Sequence, residues 1–223
     1  MKNRVVITGM GIVCPLGNDI PSMWDAILNC RSGANMTTIF DATTYPTKFC
    51  CEVKNYDLNK YTKNPDFHNN GNRHSKFAIG AAAEACRQAK IEVEAENPSD
   101  GVVRRRMGIY LGAGEGPVDS DIFFNSIVQG WNDQTSTMDW SKWHAYSISK
   151  MQPNFELEQE PNMPAAHIAV FTGARGPVRS CLTACAASTQ AIGEAFKILQ
   201  AGHADVMIAG GAHSMIHPLG IMG

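Results

Sequence analysis

An α/β layered fold, with a mixed, mostly parallel sheet between helices, is what the sequence predicts. Three observations lead there. Short β-branched or apolar runs (residues 4–8, 107–111, 178–181 and 204–209) alternate with segments of helical period (residues 73–89, 163–171 and 186–201). Several of these runs end in glycine-rich turns, as at Gly112-Ala-Gly-Glu-Gly-Pro117 and Gly210-Gly211. The chain of 223 residues is 44% hydrophobic, enough to bury one large core or two small ones.

The elements follow in order. Arg4–Thr8 is expected to be a buried first strand, with a glycine-rich turn running to Gly17. Asp19 is placed to cap a helix that has Pro21 in its first turn and ends near Asn29. Residues 32–48 are rich in turn formers, and Phe49–Val53 is a short strand that packs Cys50 and Cys51. In 73–89, Phe77, Ala81, Ala85 and Ala89 recur at helical spacing. Met107–Leu111 is a second buried strand, and Asp119–Gln129 a helix. Residues 130–161, rich in Trp, Ser, Asn and acidic side chains, form a long excursion, a length at which loops are often functional. Met163–Phe171 is a helix, Val178–Cys181 a strand, Ala186–Ala201 a helix stopped by Gly202, and Ala204–Ala209 the last strand.

Composition narrows the function. A net charge of −2 argues against a nucleic-acid binder. Seven cysteines, an odd count without a secreted spacing pattern, fit free thiols in a reducing cytoplasm. The start, Met1–Arg4 followed by Val5–Val13, superficially resembles a signal peptide. The apolar run is broken by Thr8, Gly9 and Gly11, and no cleavage site follows, so a buried strand is the better account. No apolar stretch is long enough to span a membrane. The apolar ending, Pro218–Gly223, raises the expectation that the chain has been cut or that another polypeptide covers it.

Cys185 carries the strongest chemical signal. It stands between the strand Val178–Cys181 and a helix, where amides without intrahelical partners and the positive dipole end favour a thiolate. Small neighbours, Ala184, Ala186, Ala187 and Ser188, allow close backbone approach and point to a helix buried in the middle of the fold, with Ala191, Ile192, Ala195, Phe196 and Leu199 on a wide apolar face. A thiol at amides that can hold an oxyanion suits acyl transfer. Other motifs are weaker. Gly9-Met-Gly11 follows a strand as a dinucleotide loop would, but the third glycine is missing and the helix starts too late. Gly112–Gly116 places a carboxylate where phosphate would sit. Cys181, Cys185, His213 and His217 have zinc-like pairs, but a whole helix and strand separate them, so no metal site is expected. None of the seven histidines lies in a catalytic motif, and His203 sits at a helix end as a cation suited to the dipole.

Taken in order from residue 4 to the end, these segments resemble the N-terminal half of a β-ketoacyl-[acyl-carrier-protein] synthase of the thiolase-like superfamily. The segments are Val5–Gly17, Ile109–Gly114, Asn162–Ala169, Gly176–Val178 with Thr183–Cys185, and Asp205–Gly211 with Pro218–Gly220. The resemblance implies a thiolase-like domain over residues 1–223, with the C-terminal half of the family absent. It implies that Cys185 takes an acyl group from a carrier-protein thioester. The carbanion of a decarboxylated malonyl thioester then attacks the acyl group, in fatty-acid or polyketide synthesis. The Cys185 amide would contribute to the oxyanion hole. No cofactor is implied. The family's two catalytic histidines and lysine fall in the second half, so this chain alone is expected at most to be acylated or alkylated at Cys185.

Further expectations rest on the same resemblance. Glu115 stands where elongating relatives often carry an apolar residue facing the acyl pocket; it either lines that pocket or points to solvent. The excursion at 130–161 departs from the family pattern, and covers the pocket, packs at a subunit contact or is a surface feature. Arg73 and Lys76 lie where relatives place carrier-docking residues, and Arg104-Arg105-Arg106 is a second basic run; each is otherwise a solvated face. A homodimer is implied, with the strand near Val178 at the two-fold contact. A half-length chain would also expose apolar surface on the Cys185 helix and is not expected to behave well alone. Two other functions remain beside the condensing enzyme, a non-catalytic partner subunit of a ketosynthase dimer and a thiol acyl hydrolase.

Overall fold

A computed structural model describes residues 3–116 and 118–222. Met1 and Lys2 of the basic start, Pro117 of the glycine turn and Gly223 of the apolar ending lie outside the described residues. In chain order the elements are α1 (Ile20–Leu28), β1 (Ala34–Met36), β2 (Phe49–Cys51), α2 (Arg73–Gln88), β3 (Met107–Ala113), α3 (Ser120–Gly130), β4 (Trp131–Asn132), β5 (Thr137–Met138), α4 (Trp140–Lys150), α5 (Pro153–Leu157), α6 (Met163–Thr172), β6 (Val178–Cys181), α7 (Ala187–Gln200), β7 (Val206–Ala212) and α8 (Pro218–Met222).

The central sheet is parallel, in the order β6-β3-β7. Period-2 alternation along β3 splits its side chains between two layers. Met107, Ile109 and Leu111 are buried against Ala78 and Ala82 of α2 and Ala165 and Ile168 of α6. The alternate residues face the other way, where Gly112 meets the first turn of α7. A strand covered on both faces must be apolar throughout, and β3 is. Local signals set the helices. Asp19 accepts from the Ser22 amide to start α1, and Asn72 from Ser75 to start α2. Gly173 and Gly202, at φ 69° and 75°, follow the ends of α6 and α7 in the left-handed conformation that glycine adopts without cost.

Five expectations need correction. Arg4–Thr8 is not a strand, and Val6 and Ile7 are exposed. The segment that follows lies along α2 instead. A Cβ on Gly9 would sit 2.1 Å from the Ala85 carbonyl oxygen, and one on Gly11 2.0 Å from that of Ala81. The amides of Met10 and Ile12 donate to the Gln88 and Glu84 side chains, so α2 takes the bonds that a strand ladder would have used. The two glycines of the supposed nucleotide loop therefore serve helix contact.

The second correction concerns residues 130–161, which are ordered elements rather than a long loop. β4 and β5 pair as a short antiparallel ribbon, and α4, capped by Asp139, packs on α3, where the buried hydroxyl of Ser147 donates to Ser126 at 2.9 Å. The third concerns α7, which is buried on one face only: Ala187, Ala191 and Ala195 pack inward, while Ile192 and Phe196 are about half exposed. The fourth is β1, an unanticipated partner for β2 inside the turn-rich stretch, in the register Asn35 to Cys50. The last strand also begins and ends later than expected, at Val206–Ala212. Asp205 before it is held by Arg106 at 2.5 Å.

Candidate active site

Cys185 sits where the three parallel strands end. β6 stops at Cys181, a 3-10 turn spans Ala184–Ala186, and α7 starts at Ala187. Ala184, immediately before the thiol, has φ 49°, a left-handed conformation that costs a non-glycine residue about 1 kcal/mol and is held here by its surroundings. The Thr183 hydroxyl donates to the Gln190 side chain at 2.8 Å, tying the turn to the next coil of α7. Cys185 itself is exposed.

Two register-paired glycines let the helix mouth rest on the sheet. Gly112 of β3 lies opposite Gly211 of β7. A Cβ on Gly112 would be 2.4 Å from the Ala187 carbonyl carbon, and one on Gly211 2.7 Å from Ser188 Cβ. On the other side Cys181, paired with Gly112, donates its thiol hydrogen to the Ala187 carbonyl oxygen at 3.3 Å. The start of α7 is thus seated on all three strand ends, and the amides that follow Cys185 are engaged in the turn, Ala186 with the Thr183 carbonyl and Ala187 with that of Ala184.

Arg73 and Lys76 are brought together on the wall of a cavity of about 800 Å³, with His74, Ser214 and His217. The segment Met151–Phe155, from the end of the 130–161 region, forms another side. The described lining contains no carboxylate. Neither cation is free: an Arg73 guanidinium nitrogen donates to the Ile216 carbonyl at 3.1 Å, and Lys76 Nζ to that of Asn69 at 3.0 Å. Burial lowers the Lys76 pKa, against the pull of Glu158. Cys185 and Glu115 are not part of this lining, and Glu115 is exposed. In the second basic run, Arg104 is bound to Asp100 at 2.8 Å and Arg106 to Asp205, which leaves Arg105 exposed.

The histidines are distributed differently from the zinc-like spacing. His213 packs edge-on against His74 with ring centroids 5.7 Å apart, on the spot a Cβ of Gly114 would fill. His217 Nδ1 accepts from the Gly220 amide at 3.2 Å. His217 is held below the usual imidazole range by burial, then by His213 and Arg73. Among the described residues no three His, Cys, Asp or Glu side chains gather as metal ligands. His74 was passed over in the sequence, yet it is fully buried with both ring nitrogens unpartnered, and burial together with His213 pushes its pKa down to about 4. Also unforeseen is a buried chain from Glu158 through His167 to His68.

The chain resembles known proteins over nearly all of its length. The family described as Beta-ketoacyl synthase, N-terminal domain, matches residues 2–223. A 3-oxoacyl-[acyl-carrier-protein] synthase 2 of Staphylococcus aureus (strain COL) is 32% identical over 222 residues, covering 100% of this chain and 48% of that protein. Its counterpart in Vibrio harveyi is 30% identical over 223 residues, again with 48% of the relative covered. The chain spans about half the length of these relatives. A β-ketoacyl synthase from Burkholderia phymatum STM815 shares the fold, with a TM-score of 0.71, 22% identity, and coverage of 94% of this chain and 46% of that one. So does a type II PKS acyl-carrier protein–ketosynthase complex, with a TM-score of 0.72, 22% identity, and coverage of 100% and 55%. The sheet and helices seen here are accordingly those of the thiolase-like layered fold of ketosynthases. With one family match running from residue 2 to residue 223, the chain belongs to the β-ketoacyl synthase family.

Proposed function

We propose that this chain carries the acyl-accepting half of a 3-oxoacyl-[acyl-carrier-protein] synthase, with Cys185 as the nucleophile. The observation behind this reading is the exposed thiol on a constrained turn at the mouth of α7, seated on three strand ends. The Cys185 sulfur attacks the carbonyl carbon of an acyl thioester. The Cys185 amide, in the 3-10 turn that leads into α7, contributes a donor to the developing oxyanion. The C–S bond to the carrier then breaks, and the carrier thiol leaves with the proton. In the whole protein, decarboxylation of a malonyl thioester supplies a carbanion that attacks the acyl-Cys185 carbonyl and displaces the thiolate. These reactants come from the family resemblance, as does a homodimer; a location in the cytoplasm is proposed from the cysteine usage. The edge strand β6, whose Val178 is 42% exposed, is the proposed two-fold contact. No helix of the described residues is long and apolar enough to cross a membrane.

The test is intact-mass labelling with an acyl-carrier donor. The native chain is expected to gain one acyl mass, and Cys185→Ala none. Equal labelling of both would remove Cys185 from the role. Carrier docking at Arg73 and Lys76 belongs to the same proposal, supported by the carboxylate-free cavity wall. Arg73→Glu is expected to slow acyl transfer about tenfold at low salt and to flatten its salt dependence. An unchanged salt dependence would place docking elsewhere. Glu115 lies exposed, and a role for it in acyl selection gains no support from its position.

A further inference from the structure

Two histidines that the acyl chemistry does not use meet inside the protein. His68 ends a 3-10 turn, Pro65–His68, and faces His167 of α6 at 2.8 Å between Nδ1 atoms, with both side chains buried. His167 Nε2 lies 3.0 Å from Glu158 Oε1. A carboxylate only accepts, so Nε2 of His167 carries a hydrogen, its Nδ1 is the acceptor, and His68 Nδ1–H donates; these tautomers follow from the hydrogen-bond network. One hydrogen therefore lies between the two Nδ1 atoms.

The residues after His68 hang between these partners. The Gly71 amide donates to the His68 carbonyl at 3.0 Å, and a Cβ on Gly71 would lie 3.0 Å from His167 Nε2. Asn72 caps α2 and also donates Nδ2 to the Glu158 carbonyl at 2.7 Å. This segment leads directly into Arg73 and forms one wall of the large cavity.

We propose that the His68–His167 contact is an acid-sensitive latch that anchors residues 68–72, one wall of the cavity, to α6. A single imidazolium keeps the contact, because it still offers a donor to a lone pair. A proton on both Nδ1 atoms sets N–H against N–H and places two cations side by side in a buried site. The charges around the pair come from several elements. Lys63, Asp66, Glu94 and Glu96 border the cleft at the His68 end, while Glu158 and, from α2, Lys76 face the His167 end. Glu94 favours a cation on His68; burial first, then His167, oppose it and prevail, so the doubly charged pair, which alone breaks the contact, forms only on the acid side. The latch is closed near neutrality and opens on the acid side. This is independent of the acyl chemistry.

The experiment is hydrogen–deuterium exchange of the full chain at about pH 7.5 and about pH 5, corrected for intrinsic exchange. Peptides covering 65–75 should lose about tenfold in protection at the lower pH. His68→Asn keeps an N–H donor at the Nδ1 position but does not titrate, and should hold its protection at both. His68→Phe should be weakly protected already at the higher pH. Protection independent of pH in the native chain, or the same loss in His68→Asn, would overturn the latch. If His68→Phe does not fold, the native and Asn chains still decide between these outcomes.

Discussion

Gly112→Ala is expected to destabilise the protein by about 3 kcal/mol and to slow modification of Cys185 at least about tenfold. The atoms that a new Cβ would meet are all backbone: the Ala187 carbonyl carbon at 2.4 Å, its oxygen at 2.6 Å and the Ser188 nitrogen at 2.6 Å. No side-chain rotation relieves that overlap. Either β3 bends or the first turn of α7 lifts from the sheet. β3 is buried on both faces and paired on both edges, so the helix is the part that gives. Lifting it shifts the turn that carries Cys185, which runs directly into α7, and a displacement near 1 Å costs about a hundredfold in the best-aligned sites. Two glycines act as controls, since a Cβ on Gly210 of β7 or on exposed Gly193 of α7 meets nothing within 4 Å. Gly193→Ala should stabilise by up to about 1 kcal/mol, the helix-propensity gain of alanine. Chemical denaturation and the rate of thiol alkylation under native conditions measure both effects. Equal midpoints for Gly112→Ala and Gly210→Ala would show that α7 does not rest on Gly112.

That pair of glycines marks the boundary of what the sequence makes legible. The strand Val178–Cys181, the thiol after it and the helix stopped by Gly202 are adjacent in the chain, and their turn and cap signals are local. The layered fold follows from such segments taken in order. What the sequence conceals is register. Gly112 and Gly211 are nearly a hundred residues apart and become partners only once β3 and β7 pair. The same holds for His68 and His167, two isolated histidines until α6 packs beside the 3-10 turn. The N-terminal run shows the converse failure. Val5–Ile7 has strand composition, but the amides just beyond it are satisfied by Gln88 and Glu84 of a distant helix, and composition alone could not reveal that competitor. The region 130–161 was legible as a departure and not as structure, because α4 mixes Trp, Ser, Lys and His along its length and its stabilising contact, Ser126 with Ser147, is polar.

His74→Met is expected to raise stability by about 1–2 kcal/mol near neutral pH and to remove much of the acid sensitivity of the fold. His74 is completely buried, and both of its ring nitrogens lack a hydrogen-bond partner among the described residues. A buried donor or acceptor left unpaired forfeits its hydration without compensation, and a flexible thioether of similar length carries no such loss. The pH dependence follows from the same burial. In the folded protein the pKa is pushed down from 6.5 to about 4, first by desolvation and then by His213. The fold therefore favours the neutral ring and the unfolded chain takes up the proton more readily. Stability is at its full value above about pH 6.5, falls as the pH drops through the interval between the two values, and levels off below about pH 4. The whole interval corresponds to about 3 kcal/mol. His68 and His217 are lowered too, so the native chain loses more than one group's share on acidification, and His74→Met should retain only the remainder. Urea midpoints at about pH 7.5 and about pH 5 separate the contributions: if the two proteins lose stability in parallel, the acid response belongs to the other histidines and His74 takes up its proton equally in the folded and unfolded chain.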